Sequence, residues 1–209
     1  MGDNPSAQFF PWYEFGGITR DVSLLLTDKV FIKNQKIEST PNFITGKAAV
    51  KIITWVENKS TKDELITVQP SIINRSTKAS VQLNNTVQKP ILVKAFSAQK
   101  IIQDYEFAAN DVLLWDFDNP NLYDVTTALS FSDKTTKEYN TYFGIREFKV
   151  DGIQLKLNGH TIRVAGSNRH SDHPVYGSTE PAELAKIDME LQRNGNMIFA
   201  RMNHTPPSK

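Results

Sequence analysis

The chain contains no cysteine. Disulfide staples, cysteine nucleophiles and zinc–thiolate sites are therefore all excluded, and a bacterial cytoplasm or periplasm suits it equally. No apolar run approaches the ~20 residues that span a bilayer. Met1-Gly2-Asp3 opens neither a basic n-region nor an apolar h-region, so no secretory leader is expected. Charge of one sign is lacking too: Lys+Arg of 24 against Asp+Glu of 23 leaves +1. With no basic stripe, nucleic acid and anionic membrane are not expected partners. Internal repeats and low-complexity tracts are missing as well. What is there is an ordinary globular composition, 39% hydrophobic and 22% charged over 209 residues, enough for one or two modest domains.

From about Val30 to Val150 the pattern is of short strands. Val50, Ile52 and Val56 alternate with Lys51 and Glu57; Ile66 and Val68 precede Pro70; Ala79, Val81 and Leu83 follow a Ser-Thr-Lys turn. Leu92 and Phe96 flank Lys94, and Tyr123, Val125, Thr127, Leu129 and Phe131 form the cleanest period-two run. Roughly seven strands with turn signals every ~8–12 residues predict an immunoglobulin-like sandwich, of the fibronectin kind because no Cys pair is present. Its core must rest on apolar burial, at about 25 cal/mol per Å².

The segment from Leu157 to His204 reads differently. Asn158-Gly159 supplies the two positive φ values of a type I′ hairpin, which should set Ile153, Leu155 and Leu157 opposite Val164, Ile162 and His160. A strand over Val164–His170 then leads through a loop to a helix from about Pro181 to Asn194. Leu184, Ile187 and Leu191 line one helix face, Pro181 sits in the first turn and Gly195 ends it. Met197–Arg201 has the look of a buried parallel strand. This is βαβ grammar, with polar groups at the C-terminal strand ends where barrel enzymes keep their chemistry.

The carboxylates after Val150 are Asp151, Asp172, Glu180, Glu183, Asp188 and Glu190. Glu183 and Glu190 fall on the polar helix face. Asp188 lies close to the apolar one, as a surface group or a packing contact. His170, Asp172, His173 and His204 make a first-row metal set on paper, but His170 and His173 share a loop with no helix to align them, so no metal is expected. Asn58, Asn74, Asn84 and Asn203 open N-glycosylation sequons that chance explains in a chain this rich in Asn, Ser and Thr.

Four separated motifs resemble one family. Phe143-Gly144-Ile145-Arg146, Leu157-Asn158-Gly159, Gly166–Pro174 and Ala200–Pro206 match, in order and spacing, the glycoside hydrolases of family 2, the β-galactosidases, β-glucuronidases and β-mannosidases. Trp115–Tyr123 is similar to that family's Trp-x-x-x-x-Pro-x-Leu-Tyr segment, and Gly16–Val22 to the last strand of its N-terminal jelly roll. The resemblance implies a mainly β fold in three parts. Residues 1–29 would be the end and linker of a truncated jelly roll, 30–150 an immunoglobulin-like sandwich, and 151–209 an incomplete (β/α)₈ barrel start. It implies a retaining exo-acting β-glycosidase as the parent, most simply a β-galactosidase. Such enzymes need two carboxyl groups about 5 Å apart.

By position in the motifs, His170 and His204 resemble the family's sugar-hydroxyl ligands, Arg201 the arginine beneath the catalytic centre, and Asn168 and Arg169 supports of the first strand end. Arg146 resembles a structural arginine between sandwich and barrel. No catalytic residue, metal or cofactor is implied within these residues, since both glutamates would lie further along. This fragment should be inactive alone, with a β-glycoside as its ligand and a homo-oligomer left open. Ser171 and Thr205 depart from the family pattern and weaken the choice of galactose. The alternative is a non-catalytic carbohydrate-binding or structural sandwich, with Trp12, Trp55 or Trp115 as a stacking platform.

Overall fold

The computed structural model describes residues 17–18, 20–83, 89–170 and 173–202. Two compact units emerge, Leu26–Ile162 and a smaller one that combines Arg163–Lys209 with Met1–Leu25.

In the larger unit, β1 (Val30–Pro41), β2 (Ala48–Asn58) and β5 (Ser97–Phe107) form one antiparallel sheet in the order β1-β2-β5. A second sheet takes β3 (Glu64–Asn74), β4 (Ile91–Val93), β6 (Tyr123–Phe131) and β7 (Thr136–Phe143) in the order β4-β3-β6-β7. Seven strands, three against four, make the immunoglobulin-like sandwich of fibronectin type. The alternation that predicts β2 and β6 is the one observed: Ala48, Val50, Ile52 and Val56 face inward, as do Tyr123, Val125 and Leu129.

Three details differ from expectation. Ala79, Val81 and Leu83 are not a strand; a single bridge from Ser80 to Ile73 is all that pairs there. The Leu92 strand stops at Val93, and Phe96 turns the chain into β5 at φ 51°. Strand β3 runs through Pro70 instead of ending before it. Pairing with β4 covers only Glu64–Ile66, so beyond that point β3 is an edge on one side, and the missing N–H of Pro70 breaks no ladder.

The core falls into two apolar halves separated by a polar layer. One half gathers Val50, Ile52, Ile72, Phe107, Tyr123 and Phe143, the other Val56, Ile66, Val68, Ile101 and Leu129. Between them Gln35 Nε2 donates to Thr54 Oγ1 at 2.9 Å and to Thr127 Oγ1 at 2.8 Å, and Gln103 Nε2 donates to the Val68 carbonyl at 3.0 Å. Each amide thus reaches from one sheet to the other. Tyr123 forms a tyrosine corner: its hydroxyl donates to the Asp111 carbonyl and accepts from the Leu113 N–H, both at 2.7 Å. Burial raises the phenol's pKa.

A three-stranded sheet, β8 (Phe148–Asp151), β9 (Gln154–Leu157) and β10 (His160–Ile162), completes this unit. Asn158 and Gly159 turn β9 into β10 at φ 51° and 80°, as a type I′ turn requires. Leu157 pairs with His160 and Leu155 with Ile162, but the ladder ends there. Ile153 does not oppose Val164. It lies in a second turn beside Gly152 (φ 59°) and is fully exposed. Asn158 also fastens the sheet to the sandwich: Nδ2 donates to the Trp115 carbonyl at 3.0 Å and Oδ1 accepts the Glu147 N–H at 3.0 Å. The exposed Arg146 guanidinium lies 4.4 Å from the Trp115 ring centroid, a cation–π contact within the unit.

In the smaller unit, β11 (Gly166–Arg169) and β12 (Phe199–Met202) pair in parallel, joined through helix α1 (Ala182–Asn194). The helix starts after Pro181 and ends at Gly195 as expected. The strand after it begins later than expected and is not buried: Ile198 is 37% and Phe199 54% exposed, and Ile187 and Leu191 of α1 are exposed as well. Two strands and one helix are too few layers to cover both faces. From Arg20 to Lys29 the chain forms no strand, so the jelly-roll strand expected at Gly16–Val22 is not seen over its described part. No strand pairs with it among the described residues.

Gly166 is fixed by close approach. A Cβ built there would stand 2.2 Å from the Phe199 carbonyl oxygen. Gly166→Ala should therefore push β12 off β11, costing about 1–3 kcal/mol as overpacking does. Hydrogen exchange should show faster exchange of the β11 and β12 amides with the sandwich amides unchanged.

Candidate functional site

Strands β11 and β12 end level with each other. Asn168 is the register partner of Arg201, and Arg169 of Met202. Partners in register share a face and successive residues alternate, so Asn168 and Arg201 stand side by side, both exposed, while Arg169 points the other way and is buried. His170 follows at the strand exit and is exposed. His204, with Asn203, lies outside the described residues. Of the four expected site residues, two are adjacent and a third leaves the same strand end.

Arg169 turns toward the helix. Its Nε and Nη2 donate to Asp188 Oδ2 at 3.0 and 2.6 Å, and Nη1 donates to Glu180. Burial alone would lower the guanidinium's pKa, but the bonds to Glu180 and Asp188 outweigh it and hold it raised. Glu180 received no role in the sequence reading. A signal existed for Asp188, which sits four residues after Leu184 and three before Leu191, hence on the apolar face. An acid there needs a cation, and Arg169 alternates with Asn168 toward that side.

His173 is occupied differently from a metal ligand. Its Nδ1 accepts the N–H groups of Val175 at 3.1 Å and Tyr176 at 3.3 Å. Its backbone pairs with Gly177 in both directions, at 2.9 and 2.8 Å. Among the described residues no three His, Asp or Glu side chains are placed to hold a metal ion; Asp172 and His204 lie outside them. Among the same residues, no helix is long and apolar enough to cross a membrane.

The two described tryptophans already carry partners on their rings. Trp115 carries Arg146 on its ring and meets Phe117 edge-on with centroids 5.7 Å apart. Trp55 lies on the outer face of β2 with the Lys100 ammonium 5.8 Å from its centroid. Trp12 lies outside the described residues. A groove of about 670 Å³ lies between Phe43, Phe117, Asn158 and His160 in the sandwich unit. Its Asp116 carboxylate accepts the Asn119 and Asp118 N–H groups, which lower its pKa and commit it to the turn.

The profile of the glycosyl hydrolases family 2 matches residues 30–146, more than half of the chain. The chain belongs to this family. Similar relatives include a β-galactosidase of Thermoanaerobacterium thermosulfurigenes, 32% identical over 98% of this chain and 28% of that protein. Another is the β-galactosidase BoGH2A of Bacteroides ovatus, 23% identical over 99% of this chain and 24% of that protein. Among solved structures, a β-glucuronidase of Bacteroides uniformis superposes with a TM-score of 0.72 at 24% identity, over 84% of this chain and 20% of that one. That likeness establishes the shared fold. The chain spans about a quarter of the length of the curated relatives it matches.

Proposed function

We infer that these residues are the scaffold and part of the sugar-recognition half of a retaining, exo-acting β-glycosidase acting on β-galactosides. The observation that carries the reading is the strand-end geometry: Asn168 and Arg201 in register at the C-terminal ends of two parallel strands, with His170 at the exit. Family membership and the β-galactosidases among the relatives support the reaction class and the sugar.

In this reading β11, α1 and β12 are the first unit of a (β/α)₈ barrel, residues 1–29 end a jelly roll, and 30–150 are an immunoglobulin-like scaffold domain. His170 and His204 contact sugar hydroxyls, because a neutral imidazole donates at one nitrogen and accepts at the other. Arg201 orients a carboxylate and favours its ionised form, and Asn168 supports it from the neighbouring strand. The two catalytic glutamates belong to later strands, about 5 Å apart at the reacting carbon. Assay of the full-length gene product on aryl β-galactoside, β-glucuronide, β-mannoside and β-xyloside tests this. The galactoside should give the highest kcat/KM, and a clear preference for another sugar would overturn the substrate assignment.

A further inference from the structure

Arg169 does more than anchor a strand. Its side chain is 7% exposed and that of Glu180 4%, so the two charges face each other away from water. Nε and Nη2 fork onto one oxygen of Asp188, while Nη1 holds Glu180. This arrangement needs a planar guanidinium, since a lysine ammonium presents no such fork. Glu180 lies eleven residues along the chain from Arg169. Their contact therefore closes the loop that begins with His170. Within that loop the paired backbones of His173 and Gly177 make a second, inner closure. His170 follows directly on Arg169, whose guanidinium is held both by Glu180, just before the helix, and by Asp188, in its middle.

Resting on the reading of His170 as a sugar ligand, we propose that Arg169 is a positioning residue for sugar recognition. The Arg169–Glu180–Asp188 triad fixes the direction in which His170 leaves the strand, and so sets the imidazole against the substrate hydroxyl. Arg169 touches no substrate; it acts through His170. Buried networks satisfied on every side rigidify their surroundings, and a displacement of ~1 Å in a positioning group can cost about 100-fold in rate.

The test compares Arg169→Met, Arg169→Lys, Glu180→Gln, His170→Gln and the double variant Arg169→Met/His170→Gln in the full-length enzyme. Thermal midpoints are measured beside kcat and KM on an aryl β-galactoside. Arg169→Met and Glu180→Gln should lower kcat/KM roughly 10- to 100-fold, chiefly through kcat, at temperatures where both remain folded. Arg169→Lys should not restore it. Added to His170→Gln, Arg169→Met should remove less than about twofold more, because the two act as one unit. Losses that multiply in the double variant, or folded Arg169 and Glu180 variants with parental kcat/KM, would overturn the proposal. If Arg169→Met does not fold, the near-isosteric Glu180→Gln carries the same comparison with His170→Gln. Unchanged kcat/KM in His170→Gln strikes instead at the sugar-ligand reading, and the positioning role falls with it.

Discussion

An aryl β-galactoside mixed with the purified 209-residue chain should stay intact, while the full-length gene product cleaves it. Retaining glycosidases need a nucleophilic carboxylate and an acid/base partner about 5 Å apart, and without chemistry of this kind rate accelerations of 10⁶ and more are lost. Four of the acids after Val150 have other occupations. Asp151 is paired with Lys156 at 2.5 Å, Glu180 and Asp188 hold Arg169, and Glu190 sits 3.8 Å from Lys186 on the helix surface. Glu183 lies in the first helical turn, and Asp172 is outside the described residues. Burst and steady-state assays of chromophore release check this. Any turnover that co-purifies with the chain and disappears in Glu183→Gln or Asp172→Asn would refute the account.

Phe107→Ala should have the largest effect on stability. Phe107 is fully buried between the sheets, edge-on to Tyr123 at 5.5 Å and to Phe143 at 6.2 Å, while Tyr123 and Phe143 stack at 5.3 Å. Truncating such a ring removes its transfer free energy and leaves a cavity that neighbours locked in strands fill only in part. The expected cost is about 3–5 kcal/mol, a large share of the ~5–15 kcal/mol that stabilises a typical domain. At roughly 3 °C per kcal/mol for a domain of this size, the melting midpoint should fall by about 10–15 °C. Phe96→Ala serves as the control. That ring is 73% exposed, and its loss should change stability by less than about 0.5 kcal/mol. Calorimetry of both variants decides the matter, and equal midpoints would contradict the packing described.

Much of the architecture was readable because inward and outward residues alternate without interruption. Strands β2 and β6 announce themselves this way, and Asn158-Gly159 marks its turn by the φ values it alone accepts readily. Strand β1 hides because a bulge between Ile32 and Asn34 shifts its phase: Val30 and Ile32 face inward, then Gln35 does. Strand β7 hides because it is an edge with one buried residue, Phe143. In β5 the inward set of Ile101, Gln103, Tyr105 and Phe107 includes an amide, which weakens its apolar signal. The candidates Asn168, His170 and Arg201 were marked by motifs, and the structure sets them at one pair of strand ends. The partnership of Arg169 with Glu180 and Asp188 was not, because it joins residues 11 and 19 positions apart across a loop whose path no local pattern dictates.

The glutamine–threonine layer in the middle of the sandwich acts as an alignment check. A hydrocarbon core tolerates sheets that slide by one side-chain repeat, because one aliphatic residue replaces another. Here a slip of two residues along β2 would move Thr54 away from Gln35 and bring Ile52 or Val56 in its place. The amide would then lose one of its two hydroxyl acceptors, at about 0.5–1.5 kcal/mol. Mismatched arrangements are thus penalised while the sandwich folds.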